Sequence, residues 1–252
     1  MPLSVDLDGS LKGEGHSERI DPTIVPIGVL TVHRVRYEFA VPYCRGKRVL
    51  DVACGAGYGS DMLVGVARCV MGLDLDVGAA AHARTHYRHE GLRFTVGDAV
   101  RLPFRDANFD AVVSFETIEH LAEIPRYLGE VRRVLAPGGV YIVSTPRARR
   151  TTRRPKNPHH SVEFSAGDFV VLLRAHFRDV EAYGQARVQS GAHHWLQSFD
   201  VFHLRRFVPA RLRHAVDSRL GTTPFEEMVA RDQAVVKGDL RGAEYVIAVC
   251  EA

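Results

Sequence analysis

The sequence has few cysteines, a small net charge and no long apolar run, and each shortage excludes a class of protein. The cysteines are scattered, without the paired spacing of a zinc site, and are Cys44, Cys54, Cys69 and Cys250. Lys and Arg number 33 against 30 Asp and Glu, an excess too small to indicate nucleic acid by itself. No apolar run approaches the roughly 20 residues of a membrane span, and residues 1–20 lack the pattern of a secretory signal. We therefore expect a cytoplasmic protein with no membrane partner.

The remaining composition is ordinary for a folded domain. Hydrophobic residues make up 46% of the chain and charged residues 25%, which excludes disordered and fibrous classes. The 252 residues can bury a sizeable core, so the simplest organisation is one domain with an elaboration.

The stretch 49–60 is the one around which the rest is organised. An apolar run carries Asp51 near its end, a glycine cluster with Gly55 and Gly57 follows, and a helical pattern comes next. This order predicts a buried parallel strand, a tight turn and a helix N-terminus, where an open α/β sheet receives a nucleotide-like ligand. Glycines there can adopt positive φ and let ligand atoms approach the backbone. The glycines alone fit a dinucleotide, an adenosine or simply a cramped turn.

Asp51 narrows the choice of ligand. It stands four residues before the first glycine, where its charge would repel a phosphate and attract a cation. S-adenosylmethionine carries an ammonium and a sulfonium and no phosphate, so the carboxylate favours it.

This stretch resembles the first motif of the class I S-adenosylmethionine-dependent methyltransferases. Four later segments resemble further motifs of that family in the same order, at 71–74, 96–99, 109–121 and 134–139. The resemblance covers residues 48–145 and implies S-adenosylmethionine as the cofactor. It also implies a doubly wound, mostly parallel seven-stranded sheet, here with a helical insert before the last strand.

The predicted organisation has four parts. Residues 1–43 form an N-terminal leader and a capping helix, and residues 44–183 form the cofactor-binding α/β core. Residues 184–243 are an insert that covers the substrate, and residues 244–252 form the final strand, antiparallel to its neighbour. Apolar spacing predicts helices in the insert near 197–206, 209–219 and 225–236.

Other elements are predicted in the core. Pro42 should close the first helix, and a single helix should carry Glu116, Glu119 and His120 and end near Leu135. The segment 137–139 should form a turn before a strand at 140–145.

The resemblance assigns cofactor contacts residue by residue. It implies that Asp74 accepts from the ribose hydroxyls and that Asp98 accepts from the adenine amine, although an Asx turn is a serious alternative for Asp98. The full set of candidates is Asp51, Ala53, Gly55, Gly57, Asp74, Leu75, Asp98, Ala99, Phe115, Tyr37 and Arg36.

The first helix also carries His33, Arg36 and Tyr37. For each of them, a solvated side chain on an amphipathic helix is the favoured interpretation. The resemblance offers a second one, in which Arg36 or His33 reaches the cofactor carboxylate and Tyr37 covers the methionyl part.

His120 is the candidate catalytic base, because an unperturbed imidazole titrates near pH 6.5 and the family often has a histidine at this position. A histidine that only caps or packs on a helix is equally consistent with the sequence. Glu116 could orient an acceptor amine or the cofactor, and Glu119 is expected to face solvent.

Substrate contacts are expected from the loop after the fifth core strand and from the insert, with His159, His160 and Trp195 as candidates. We predict no metal. Catechol-type enzymes of the family place an Asp after the fourth strand and an Asp-Asn pair after the fifth, whereas this chain has Glu116 and Pro146 there.

The function predicted first is methyl transfer to an oxygen or nitrogen of a small molecule, such as a sugar or aminosugar metabolite of antibiotic biosynthesis. The alternative is an RNA methyltransferase that uses the basic loop 147–156. A nucleic-acid substrate is disfavoured because the Asn-Pro-Pro-aromatic or Asp-Pro-Pro-aromatic motif, usual in enzymes that methylate base amino groups, is absent after residue 115. An NAD-dependent oxidoreductase is disfavoured by Asp51 and Asp98. A non-catalytic cofactor-binding protein is a fourth possibility.

Overall fold

The computed structural model of this chain describes residues 25–155, 157–188 and 228–252, together with the backbone of a short antiparallel pair, β1 (Ser4–Val5) and β2 (Leu11–Lys12). The helices are α1 (Ile27–Cys44), α2 (Tyr58–Val64), α3 (Val77–His86), α4 (Ile124–Val134) and α5 (Ala166–Arg174). The other strands are β3 (Arg48–Val52), β4 (Cys69–Asp74), β5 (Leu92–Val96), β6 (Phe109–Phe115), β7 (Leu135–Ala148), β8 (Phe164–Ser165), β9 (Val180–Arg187), β10 (Gln233–Lys237) and β11 (Tyr245–Glu251).

One mixed sheet forms the centre of the fold. Its order is β10-β9-β11-β7-β6-β3-β4-β5, and β8 pairs with β7 outside this series. The strands from β7 to β5 are parallel, whereas β11 runs antiparallel between β7 and β9. The seven predicted strands are therefore present in a doubly wound arrangement, and β10 extends the sheet at one edge.

The strand order reverses between β3 and β6, which lie side by side. From there the chain proceeds to β4 and β5 on one side and to β7 on the other. Ligands of open α/β sheets bind in the crevice outside the carboxyl ends of the strands at such a point. The glycine cluster after β3 and the segment after β6 both open into this crevice.

Helices cover both faces of the sheet, which explains why the central strands are apolar on both sides. On one face, α4 contributes a helical stripe of buried side chains, namely Ile124, Tyr127, Leu128, Val131 and Val134. On the other face, α1, α2 and α3 pack through buried residues that include Ala40, Leu63 and Ala83. Within the described residues, no helix combines the length and apolar character that a membrane crossing requires.

Several predicted helix boundaries are wrong. Pro42 lies inside α1, which continues to Cys44. The single helix expected from Glu116 onward is broken, because Glu116 has a φ of 51° and only a 3-10 turn, Ile118–His120, precedes α4. This break leaves Glu116 at the end of β6, facing the crevice.

The turn expected at 137–139 lies within β7, which begins at Leu135 rather than at residue 140. A register shift in the pairing of β7 with β6 accommodates these residues, and Gly138 has a φ of 73°. The strand remains continuous because the irregularity is confined to its first residues.

The described parts of the 184–243 segment do not contain the predicted α-helix over 225–236, and a 3-10 turn, Ala230–Asp232, is their one helical element. β9 continues to Arg187, and β10 pairs antiparallel with it where a helix over 225–236 was expected. The predicted helices at 197–206 and 209–219, and Trp195, lie outside the described residues. That this segment covers the substrate stays a prediction.

Candidate active site

The turn after β3 has a backbone that favours glycine. Gly55 has a φ of 55° and Gly57, which precedes α2, a φ of 91°. A Cβ on Gly57 would lie 2.6 Å from the Cβ of Ala83, so α3 could not pack as closely. Ala53 also has positive φ, 57°, an uncommon conformation for a residue with a side chain. The turn therefore keeps the backbone open where β3 ends.

Asp51 lies behind this turn and is fully buried. Ser60 Oγ donates to Asp51 Oδ2 at 2.6 Å, and the Tyr37 hydroxyl lies 3.3 Å from Oδ1. Burial is the main reason that the pKa of Asp51 is raised to about 7, and the charge of Asp74 adds to it. Tyr37 lines the cavity in the crevice and Asp51 does not. A contact between Asp51 and the cofactor stays a prediction.

The carboxyl end of β4 supplies a second carboxylate, Asp74. Its Oδ2 accepts from the Gly55 backbone N–H at 2.8 Å, and its Oδ1 accepts from the Asp76 N–H at 2.9 Å. Asp76 rather than Asp74 caps α3, because its Oδ1 accepts from Ala79 N–H at 2.7 Å. Asp74 thus ties the glycine turn to the neighbouring strand and presents its carboxylate to the cavity.

Asp98 follows β5 and forms the Asx turn that the sequence allowed as an alternative. Its Oδ1 accepts from Val100 N–H at 3.0 Å. The residue is exposed and lines the same cavity as Ala99 and Leu75. The turn and a ligand contact can coexist, because a carboxylate oxygen accepts more than one hydrogen bond.

Glu116 stands on the other side of the crevice, after β6. Its Oε1 accepts from Ser144 Oγ at 2.6 Å and lies 3.7 Å from Arg36 Nη1. Left-handed backbone at a residue other than glycine is strained and persists where the surroundings hold it. The contacts with Arg36 and Ser144 fix the carboxylate at the cavity wall.

Arg36 is fully buried, so the solvated side chain favoured from the sequence is wrong. Its Nε donates to Gln185 Oε1 at 2.8 Å, and its guanidinium carbon lies 4.0 Å from the ring centroid of Tyr245. Both Nη atoms are buried, and neither has a hydrogen-bond partner among the residues that the structure describes. Arg36 lies behind Glu116 and does not line the cavity.

The solvated interpretation is also wrong for Tyr37, which is buried between the rings of Tyr58 and Phe115. His33 lines the cavity, and burial together with the charge of Arg36 holds its pKa well below the usual value. His33 is therefore the neutral polar group that α1 presents to the ligand space.

Glu119 was expected to face solvent, and this is wrong. The residue is 1% exposed, and Thr145 Oγ1 donates to its Oε2 at 3.2 Å. Burial, with the nearby charge of Glu116, raises its pKa well above the usual value. This burial could not be predicted from the sequence, because the contact of Glu119 with β7 depends on the 3-10 turn.

His120 lines the cavity, and its ring has a defined tautomer. Its Nδ1 lies 3.0 Å from the backbone oxygen of His159. A carbonyl oxygen only accepts, so Nδ1 carries the proton and Nε2 keeps the lone pair. Of the two predicted substrate contacts that lie within the described residues, His159 lines the cavity, whereas His160 does not and packs edge-on against His120 with 4.8 Å between the ring centroids.

These groups surround one cavity of about 650 Å³, within the size range of small-molecule sites. Its titratable groups are carboxylates, imidazoles, two phenols and one thiol, and no Lys or Arg is found among the described lining residues. The lining consists of His33, Tyr37, Ala53, Cys54, Gly55, Tyr58, Leu73, Asp74, Leu75, Asp76, Gly97, Asp98, Ala99, Phe115, Glu116, Thr117, His120, Leu121 and His159.

The chain matches the methyltransferase domain family over residues 50–143. It is 37% identical over 210 residues, 82% of this chain and 78% of the relative, to a probable S-adenosylmethionine-dependent methyltransferase of Mycolicibacterium smegmatis. The chain belongs to the class I S-adenosylmethionine-dependent methyltransferases. S-adenosylmethionine is its cofactor.

Two further similarities show how far this conclusion extends. A fatty-acid O-methyltransferase of the same organism is 42% identical over 106 residues, which is 41% of this chain and 39% of that protein. The crystal structure of an S-adenosylmethionine-dependent methyltransferase of Thermotoga maritima, described as a possible histamine N-methyltransferase, superposes with a TM-score of 0.57 over 87% of this chain and 91% of that chain. At 17% identity this second similarity supports the methyltransferase fold alone.

The residues present fit S-adenosylmethionine. The cavity of this methyltransferase has carboxylates at Asp74, Asp98 and Glu116, and no Lys or Arg is found among the described residues of its lining, which suits a cationic ligand without phosphates. A Cβ on Gly97 would lie 2.7 Å from Leu73 Cδ1, so the turn after β5 has little room for a side chain at this position. The exposed arginines of the predicted RNA-contacting loop, Arg149, Arg150, Arg153 and Arg154, are not among the lining residues.

The buried Asp51 should make the stability of this methyltransferase depend on pH. Its pKa of about 7 in the folded protein lies above the ordinary value of an aspartate, 3.8. Its stabilising contribution is therefore complete below about pH 4 and is lost as the pH rises through 7, at up to about 1.4 kcal/mol per pH unit. Asp51→Asn keeps an acceptor for Ser60 and should remove this slope. Urea unfolding between pH 5 and pH 8 measures it.

The exposed Asp179 provides the matched control for that experiment. Asp179→Asn should leave the slope of the wild-type protein unchanged. Parallel stability curves for wild type and Asp51→Asn would show that Asp51 does not hold its proton through this range.

Proposed function

We propose that this methyltransferase transfers the methyl group of S-adenosylmethionine to an oxygen or nitrogen of a small-molecule acceptor, with His120 as the base. The observation that carries the proposal is the pairing of His120 and Glu116 in one cavity with the carboxylates of Asp74 and Asp98. The Nδ1 contact with the His159 carbonyl places the lone pair of the neutral His120 ring on Nε2.

The adenosyl part of the cofactor would lie along the carboxyl ends of β3, β4 and β5. Asp74 would accept from the ribose hydroxyls while still accepting from Gly55 and Asp76, and Asp98 would accept from the adenine amine. The exposed Leu75 and the half-buried Ala99 offer apolar contacts on either side. Tyr37 and Phe115 would cover the methionyl end, and His33 is the candidate for the cofactor carboxylate.

When bound, the cofactor supplies an electrophilic methyl group on a sulfonium that departs as a neutral thioether. The residues of this chain hold the acceptor in line and remove its proton. As the acceptor lone pair forms the new bond to carbon, Nε2 of His120 takes the proton that the acceptor loses. Glu116, fixed by Ser144 and Arg36, would orient the hydrogen that the acceptor donates.

Glu116 also bears on the class of acceptor. A carboxylate held in the cavity wall favours an amine or hydroxyl and disfavours another carboxylate. We therefore place the acceptor among hydroxyl- or amine-bearing metabolites, with a sugar or aminosugar as the specific expectation. The similarity to the fatty-acid O-methyltransferase covers only part of each chain.

Incubation of the purified protein with labelled S-adenosylmethionine and a panel of acceptors tests this function. The panel should contain sugars, aminoglycosides, phenols, amines, lipid alcohols and free fatty acids. Label on an alcohol or amine supports the proposal. Turnover of fatty acids alone would contradict the proposed role of Glu116, and tight cofactor binding with no product on any acceptor would favour a non-catalytic protein.

Replacing Asp74 with asparagine should weaken cofactor binding by about 10- to 100-fold, since a hydrogen bond to a charged group contributes about 1.5–3 kcal/mol. The amide oxygen can still accept from Gly55, so the turn should persist. Isothermal titration with S-adenosylmethionine and with S-adenosylhomocysteine should show equal losses, because both share the ribose. Asp106→Asn is the surface control, since the Asp106 side chain is 79% exposed. Unchanged affinity in a folded Asp74→Asn protein would remove Asp74 from the site.

A further inference from the structure

Four arginines on the loop after β7 form a concentrated patch of positive charge. They lie within residues 149–154, which we call the arginine loop, and are Arg149, Arg150, Arg153 and Arg154. All four are exposed, and within the described part of the chain none of them forms an ion pair with a carboxylate. Like charges this close repel one another, so an anion that bridges several guanidinium groups would be bound favourably.

The backbone of the arginine loop is held in place by its two threonines. Thr152 and Glu163 exchange two backbone hydrogen bonds, both of 2.9 Å, and Thr152 Oγ1 accepts from the Arg154 N–H at 3.0 Å. Thr151 Oγ1 donates to Asp168 Oδ2, so this carboxylate is engaged by a hydroxyl. The arginines on both sides of the threonines therefore start from a fixed backbone and lose less freedom when an anion binds.

The arginine loop borders the histidine wall of the cavity. β7 pairs with β6 as far as Ser144 and then extends past the crevice, and the arginine loop begins at its end. The chain continues from there to His159, which lines the cavity. Glu163, paired with the arginine loop, lies 3.8 Å from Nδ1 of His160, whose ring packs against that of His120. Two side-chain contacts thus connect the arginine loop to the cavity wall.

The cavity and the arginine loop carry opposite charges. The cavity presents carboxylates, Glu116 among them, and no Lys or Arg among its described lining residues, so a phosphate group would be repelled there. The charged side chains of residues 149–154 are all basic. A ligand that suits both would therefore place a hydroxyl or amine at Glu116 and an anionic group outside the cavity, at the arginine loop.

We propose that the arginine loop binds a phosphate-bearing part of the acceptor, such as the diphosphate of an activated sugar. The reacting hydroxyl or amine of the same molecule would lie at Glu116. This inference rests on the proposed function, because it specifies the class of acceptor for the same cavity. Guanidinium groups bind phosphate oxygens in bidentate pairs, and arginine rather than lysine supplies all four charges of the arginine loop.

A phosphate on a small molecule suits the arginine loop better than RNA or a lipid bilayer does. Residues 147–156 contain no aromatic side chain, on which proteins stack unpaired RNA bases. They also contain no Leu, Ile, Phe or Trp that would enter the surface of a bilayer. A small anion requires only guanidinium groups on a fixed backbone, and the arginine loop supplies both.

Calorimetric titration of the full-length protein with inorganic pyrophosphate tests the arginine loop without cofactor or acceptor. Binding should be saturable and should weaken as the salt concentration rises. The double variant Arg153→Gln/Arg154→Gln should weaken it by at least tenfold. Arg153→Lys/Arg154→Lys should recover only part of this loss, because the charge remains and the bidentate geometry does not. The control Arg88→Gln/Arg105→Gln removes the same charge from exposed loops that lead into β5 and β6, and should change nothing.

Circular dichroism should confirm that each double variant is folded. Equal pyrophosphate affinity in wild type and in Arg153→Gln/Arg154→Gln would overturn the proposal, as would an equal loss in the Arg88→Gln/Arg105→Gln control. Phosphatidylglycerol vesicles and a single-stranded RNA are the comparison ligands. Binding of either one through Arg153 and Arg154, without binding of pyrophosphate, would overturn the proposal in favour of a lipid surface or a nucleic acid.

Methyl transfer separates this inference from the proposed function. With UDP-glucose and glucose as a matched pair of acceptors, Arg153→Gln/Arg154→Gln should raise KM for the diphosphate sugar at least tenfold and leave KM for the free sugar unchanged. Transfer to uncharged acceptors alone, without inhibition by pyrophosphate, would refute the role of the arginine loop and leave the proposed function intact. Pyrophosphate binding through Arg153 and Arg154 in a protein that methylates no acceptor would refute the proposed function and support the anion site.

Discussion

Replacing His120 with alanine should lower kcat by about 10²- to 10⁴-fold, the range that general-base catalysis contributes. The reason is the ring geometry, because His120 lines the cavity and its Nδ1 donates to the His159 carbonyl, which places the lone pair of the neutral ring on Nε2. Affinity for S-adenosylmethionine should change little, because the proposed adenosyl contacts lie along β3 to β5. Single-turnover methyl transfer together with calorimetric titration of the cofactor separates the two effects.

Added imidazole gives a sharper readout for His120. If the missing group is a base, free imidazole should restore part of the activity of His120→Ala, because the cavity then has room for the ring. His86→Ala, at an exposed position on α3, should behave as wild type with and without imidazole. Loss of cofactor affinity in parallel with kcat would instead indicate that His120 packs structurally, the second interpretation that the sequence allowed.

The sheet, and the grouping of side chains in one cavity at the carboxyl ends of β3, β4 and β5, could be predicted from local signals. The strands β4 and β5 are short apolar runs that end at Asp74 and before Gly97. Because the strands are parallel, their carboxyl ends lie at one edge of the sheet. The signals are local because the strands are buried on both faces and the turns need particular backbone angles. The residues at the carboxyl ends of neighbouring strands were therefore correctly predicted to lie close together.

The surroundings of Glu116 and Glu119 could not be predicted in the same way. Glu119 and Arg36 are charged residues in segments with helical spacing, which usually indicates a solvated face. Their burial depends on partners that are distant in the sequence. Glu119 contacts Thr145, and Arg36 contacts Gln185 and Tyr245. A helix was also expected at Glu116, where the positive φ of this residue prevents one. Strand β10 was not predicted, because a long connection separates it from its partner β9 in the sequence.

A pair of glycine substitutions with opposite expected signs tests how the first helix holds the site. Gly59→Ala should destabilise the protein by about 3 kcal/mol or more, because overpacking a core costs about 1–3 kcal/mol and sometimes more. A Cβ on Gly59 would lie 1.9 Å from Cζ of Tyr37. Gly129→Ala should stabilise it by about 0.5–1 kcal/mol, since Gly129 is exposed within α4 and a Cβ there meets nothing within 4 Å.

The contrast is informative because Tyr37 has nowhere to move. Its ring packs against Tyr58 and Phe115, and its hydroxyl meets the buried carboxylate of Asp51. Displacing it should therefore also weaken S-adenosylmethionine binding, whereas Gly129→Ala should leave that affinity unchanged. Urea unfolding and cofactor titration on both variants measure the two effects. A Gly59→Ala protein with wild-type stability and affinity would mean that α1 can shift away from α2, and that Tyr37 does not fix the cavity wall.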